Sequence, residues 1–288
     1  MIRRLYSLLG FKDTEEPTLS IIRNPSLSQA PGVCAYIYLT DKVKDYLKLP
    51  SDKFNQKFDL CFCDICHEKR RDKDHYTRGK PSNIYVLPRG WRRFGIKLKS
   101  NYDEEFKSWH VAFHGTELGS VPSIAEKGLL IPGDKTADGK TVVEMKGHYS
   151  DIRKPEGFDT KQIFVSPSIV YSGRNVYARS STWQNKDDNK KYTLKVVFQL
   201  RIKPGSYQVG PKTIDTDNID KYIDDTVLEW STKDRGAILI TGLLNFILKC
   251  CYDQQLDAEH HNKVAVAVIK KTYTNLERII VPSRFWRG

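Results

Sequence analysis

Three separated stretches carry side chains suited to breaking an N-glycosidic bond: Phe113-His114-Gly115-Thr116, the run from Ile163 through Phe164, Ser168 and Tyr171, and Val227-Leu228-Glu229-Trp230. Departure of a heteroaromatic ring from a ribose leaves positive charge on the sugar. Such a reaction needs a flat ring to hold the leaving group, hydrogen-bonding groups to fix the ribose, and a carboxylate placed where low dielectric makes its charge effective. Gly115 at a strand end lets backbone approach a ligand closely. Glu229 interrupts an apolar strand, and a buried carboxylate needs a reason. Read singly, His114 is a satisfied strand histidine, Tyr171 a core ring and Glu229 half of an ion pair. Their joint placement at strand–helix junctions makes them a candidate site. Tyr177, His148 and Glu144 are secondary candidates for which a structural role leads.

A second constellation is Cys61-x-Cys63-x2-Cys66-His67, three thiols and an imidazole within seven residues. These are the ligand types of a tetrahedral zinc site. Four sequential ligands this close are strained, so Cys63 and Cys66 form the expected knuckle, completed from Cys61, His67, His75 or His110. A closed Cys-rich site leaves no open position, so the expected zinc is structural. Free thiols are the alternative. Basic residues interleaved with Tyr76, Tyr85, Trp91 and Phe94 offer a nucleic-acid surface, or simply a solvated face around the knuckle.

In order and spacing, the first constellation resembles the ADP-ribosyltransferase superfamily, in the His-Tyr-Glu branch that contains diphtheria toxin and the poly(ADP-ribose) polymerases. The resemblance implies NAD as the molecule bound. His114 would take the nicotinamide ribose and adenosine side, with Thr116 beside it, and the Gly115 backbone the carboxamide. Ser168 would bind the carboxamide, Tyr171 would stack on the nicotinamide, and Phe164 stands where the branch usually has tyrosine. Glu229 would orient the ribose and polarise the bond being broken. Val227 replaces the second acid or amide of arginine-directed members, and a single carboxylate suits mono-transfer. From Cys61 onward, including Arg78-Gly79-Lys80-Pro81 and Tyr85 to Phe94, the chain also resembles the C-terminal region of large neuralized-like proteins; the likeness spans about residues 58–250.

The implied activity is mono-ADP-ribosyl transfer from NAD to a protein, with nucleic acid as a second acceptor class. A catalytically weak or inactive module binding NAD, nucleic acid or protein is the alternative. RNA 2′-phosphotransfer is a third reading, against which Glu229 argues.

These residues require a scaffold. Alternating apolar runs at 109–114, 161–166, 192–202, 226–231 and 237–248 predict strands of a mainly antiparallel sheet. Ser120, Pro122 and Gly128 bracket a helix as N-cap, first-turn and C-terminal residues, and a second helix is expected over 167–178. Residues 35–39 read as a strand, 41–47 as a short helix, and 84–87, 94–98 and 264–269 as further strands. The expected fold is α+β: a split antiparallel β-sheet ADP-ribosyltransferase-like core with a small Cys-rich, zinc-stabilised N-terminal module. The divisions are an extension at 1–57, the Cys-rich basic module at 58–105 and the catalytic domain at 106–288.

With 288 residues, 39% of them hydrophobic, the chain has material for a real core. No apolar run spans a bilayer, so no transmembrane segment is expected. The net charge of +12 favours polyanions or acidic partners. Three of six cysteines crowd into six positions, a poor disulfide arrangement that fits a reducing, intracellular setting in cytoplasm or nucleus. The basic first twelve residues leave a mitochondrial address open.

Overall fold

The computed structural model describes residues 34–98, 106–144, 159–214 and 218–249. Its centre is two 12-residue strands, β8 (Lys191–Ile202) and β11 (Ile238–Lys249), paired antiparallel with Phe198 opposite Leu243. Along β8 the even-numbered side chains from Tyr192 to Ile202 are buried, the period-2 pattern of a strand with one face in a core. β5 (His110–Thr116) lies on the outer side of β8, where it shares that edge with β7 (Ser181–Gln184). On the other flank β4 (Arg92–Gly95) pairs with β11, and β1 (Leu60–Cys61) with β4.

A second sheet runs β6 (Ile163–Val165), β10 (Glu229–Thr232), β9 (Gln208–Gly210). It joins the first through one bridge, Phe113 to Ser166, whose N–H and C=O groups bond reciprocally at 2.7 and 2.9 Å. The antiparallel sheet is therefore split between β5 and β6. A separate hairpin is formed by β2 (His75–Arg78) and β3 (Asn83–Val86).

Four α-helices fill in the scaffold among the described residues: α1 (Ala35–Tyr46), α2 (Asp64–Arg70), α3 (Val121–Lys127) and α4 (Ile169–Ser172). The expected strand at 35–39 is instead the first half of α1. Tyr36 to Leu39 have strand-like composition, but burial of Leu39 and Val43 follows helical i, i+4 spacing. The Tyr36 hydroxyl also ties the helix down, donating to Gly90 O at 2.8 Å and accepting from Ile247 N at 3.0 Å. Ser120 does not cap α3: a 3-10 turn over Leu118–Ser120 already places it in helical conformation, and its side chain makes no cap bond. Gly128 does end that helix, with φ of 81°. The expected helix at 167–178 stops after one turn at Gly173, where a Cβ would lie 2.9 Å from Ile169 O and 3.0 Å from the Trp91 ring. The expected strand at 264–269, the first twelve residues and His148 lie outside the described residues.

The Cys-rich stretch contributes strands to the main sheet. Its strands β1 and β4 extend that sheet through β11, so the divisions expected at 58–105 and 106–288 share one sheet. No helix among the described residues is long and apolar enough to cross a membrane.

Candidate functional site

A cavity of about 590 Å³ opens beside the split between the two sheets. From β5 come His114, Gly115 and Thr116; from β6, Phe164; from α4, Tyr171; and from the start of β10, Glu229. Three stretches up to 115 residues apart are thus brought together by the Phe113–Ser166 bridge and the β6–β10 pairing. Tyr177 lines the same cavity.

Glu229 is buried, and its Oε2 lies 2.9 Å from the hydroxyl of Tyr171, 3.0 Å from that of Thr213 and 3.3 Å from that of Tyr177. The Tyr177 hydroxyl also donates to Tyr171 at 2.8 Å, and Thr213 N–H to the Tyr171 oxygen at 3.0 Å. Burial pushes the Tyr171 phenol well above the usual tyrosine value, and the neighbouring carboxylate adds to the shift. Tyr177 moves the same way, from burial first and then the charges of Tyr171 and Glu229. Both phenols therefore remain protonated at neutral pH, beside one carboxylate. Thr213 carries no signal in the sequence: it sits in an irregular stretch without apolar periodicity.

His114 donates from Nδ1–H to the Phe164 carbonyl at 2.8 Å, which links β5 to β6 and fixes the ring in the cavity wall. A carbonyl only accepts, so a neutral His114 carries its proton on Nδ1 and leaves Nε2 unprotonated. Gly115 is required by packing: a Cβ there would lie 2.0 Å from Ser172 O and 2.8 Å from Tyr177 Cβ. The close approach that the glycine permits is to α4 and the turn after it.

Ser168 sits apart from the cavity wall. Fully buried, it accepts from Tyr171 N at 3.2 Å as the N-cap of α4 and donates to Asp220 at 2.5 Å. Its bond to the Tyr171 N–H helps to place that ring, and the serines that do line the cavity are Ser120, Ser123, Ser166 and Ser172. Glu144 is exposed and accepts from the hydroxyl of Thr160, which lines the cavity, but does not line it itself.

The second candidate is a cluster of four thiols. The Sγ atoms of Cys34, Cys61, Cys63 and Cys66 lie within 4.8 Å of one another and could hold a metal ion. Cys63 is the N-cap of α2, Cys66 lies in its first turn, Cys61 is on β1, and Cys34 precedes α1. His67 is not in the cluster, contrary to the expectation from spacing. It points to the other side of α2, with Nδ1 3.2 Å from Asp72 and Nε2 3.5 Å from Asp74. Cys34, 27 residues upstream of Cys61, takes its place, and His75 and His110 are also engaged elsewhere, on Tyr222 and on Tyr207 with Pro81.

Tetrahedral zinc–thiolate bonds of about 2.3 Å put sulfurs roughly 3.8 Å apart. Cys34 and Cys63, at 3.4 Å, are already inside that spacing. Hydrogen bonds from Cys61 and Cys63 pull the Cys34 thiol down to about 2, while the bond to Cys34 pushes Cys61 up, and Cys63 to about 12. One thiolate is thus favoured at the expense of its neighbours. The donor set fits a divalent ion. No family model matches the chain.

Proposed function

We propose that the chain is an NAD-dependent mono-ADP-ribosyltransferase of the His-Tyr-Glu type. The single observation that carries this reading is the convergence of His114, Phe164, Tyr171 and Glu229 on one cavity, with the carboxylate buried at its wall. NAD would supply an activated glycosidic bond whose electron pair leaves with nicotinamide. Phe164 and Tyr171 offer ring surface for a flat leaving group, and His114 an acceptor for a ribose hydroxyl. Glu229 supplies fixed negative charge to a sugar carbon turning positive, within a desolvated wall where that charge is effective. The acceptor is proposed to be a protein side chain. Zinc bound by Cys34, Cys61, Cys63 and Cys66 would be structural, locking α1, β1 and α2 together.

A second reading rests on the hydroxyls around Glu229. All three lie within 3.3 Å of Oε2, and Tyr171 and Thr213 can donate to it at once, which favours a pocket that binds NAD without turning it over.

Labelled NAD separates the two. Glu229→Gln is expected to lower transfer and nicotinamide release by about a hundredfold or more, with NAD affinity changed only a few-fold, because the charge matters chiefly in the transition state. Parallel loss of affinity and rate would contradict that role for Glu229. NAD binding by the wild-type protein without any nicotinamide release would establish the binding module instead.

A further inference from the structure

Gln199 and Arg201 alternate to the same side of β8, and Arg201 feels the charges of Arg78 and Arg93. Arg93 of β4 reaches across β11 to donate from Nε to Gln199 Oε1 at 2.5 Å and from Nη2 to Thr241 O at 2.7 Å. It passes over Gly242, where a Cβ would lie 2.7 Å from Arg93 Nε. The β2–β3 hairpin covers the same patch. The Tyr85 hydroxyl accepts from the N–H of Val111, the residue paired with Arg201. Tyr76 packs on Tyr85 with ring centroids 5.5 Å apart, and Arg78 lies two residues further along β2.

These cations are poorly compensated. Arg201 Nη1 and Arg78 Nε are buried without a hydrogen-bond partner. Burial, then the charges of Arg78 and Arg93, hold the Arg201 guanidinium down at about 10. Asp59 is the carboxylate whose charge reaches Arg93. It is shared, with Oδ1 accepting from Gly95 N and Oδ2 3.5 Å from Arg92. No carboxylate is among the charges that act on Arg201, and buried cationic donors without acceptors are costly.

We propose that this patch binds a phosphate dianion, either inorganic phosphate or the terminal group of a small phosphomonoester, with Arg78 and Arg201 as its donors. A guanidinium fork matches phosphate oxygens, and neighbouring guanidiniums suit a dianion. Arg78, Arg93 and Arg201 are each half-buried. None of the three arginines lines the cavity, so the proposal stands independently of NAD chemistry.

Calorimetry and thermal melting of the full chain at fixed ionic strength test it, with inorganic phosphate, ribose 5-phosphate and chloride as the added anions. Phosphate should bind saturably and raise Tm above the chloride value. Arg201→Met and Arg78→Met should each weaken phosphate binding about tenfold or more, the loss of a charge-assisted hydrogen bond. Tighter binding of ribose 5-phosphate identifies a phosphomonoester, and equal binding identifies phosphate itself; either supports the site. A Tm rise no larger than that with chloride overturns the proposal, as does unchanged phosphate affinity in Arg78→Met. That variant lies on the small hairpin and carries the test even if Arg201→Met fails to fold.

Discussion

The carboxylate of Glu229 shares a small space with three hydroxyls, and counting protons shows how they can be arranged. The four oxygens stand 2.8 to 3.3 Å apart in every pairing, yet only three hydroxyl protons serve them. One consistent arrangement runs Tyr177 to Tyr171 to Glu229, with Thr213 donating separately to Glu229. Because both phenols have raised values in the fold, the unfolded chain loses those protons first as pH rises. Their contribution to stability is full below about pH 10 and drains as pH climbs toward the folded values. Urea stability is therefore expected to hold to about pH 9 and then decline, less steeply in Tyr171→Phe than in wild type. At neutral pH that variant should cost about 1–2 kcal/mol for the hydroxyl's lost bonds. Identical alkaline slopes in the two proteins would remove the tyrosines from the explanation. Tyr171 and Glu229 are legible in the sequence because residue type and order suffice to mark them. Thr213 is not, since its bond to Tyr171 spans 42 residues and depends on the path of an irregular segment.

At the scale of elements, the helix α1 matters because it delivers Cys34 to a cluster whose other members lie within six residues of each other. The spacing within Cys61 to Cys66 marks the knuckle, because those ligands are local. It is silent on the fourth member, because Cys34 is brought in by tertiary packing of a segment that reads as a strand. The long alternating runs of β8 and β11 are plain in sequence because burial of one face imposes period 2 over many residues. Tyr36 to Leu39 offer too few residues for either period to dominate. If the four thiols hold zinc, purified unchelated protein should contain about one equivalent, and Cys34→Ser should lose most of it while His67→Gln retains it. Chelation should lower Tm in wild type and leave Cys34→Ser little changed, because metal binding is coupled to folding of the site. Retention of a full equivalent in Cys34→Ser, or its loss in His67→Gln, would restore the histidine as the ligand. Zinc below about a tenth of an equivalent in native protein would remove the metal from the account.

At the scale of the molecule, the sheet does not respect the division between a Cys-rich module and a catalytic domain that composition suggests. The change in charge and cysteine content near residue 105 is real in the sequence, but hydrogen bonding between β4 and β11 is invisible there, because antiparallel partners about 150 residues apart leave no local trace. Phe94, opposite Leu243, is fully buried, and the Trp91 ring lies 5.2 Å from that of Phe246. Removing residues 34–98 would unpair the outer edge of β11 and uncover Leu243, Leu244 and Ile247, which belong to the main core. Full burial of each such side chain contributes about 1.5–3 kcal/mol, and domains are typically stable by only about 5–15 kcal/mol in all. Even partial exposure of the three therefore threatens cooperative folding, quite apart from the loss of α1. A fragment of residues 106–249 is expected to bind ANS, to lose most of its near-UV circular dichroism and to melt without a sharp transition, whereas 34–249 melts cooperatively. A sharp transition and intact near-UV signal in the shorter fragment would show that the candidate NAD pocket is self-sufficient. In that case the cysteine cluster would be an appendage to it, and the β4–β11 pairing would contribute little to the fold that holds Glu229 in place.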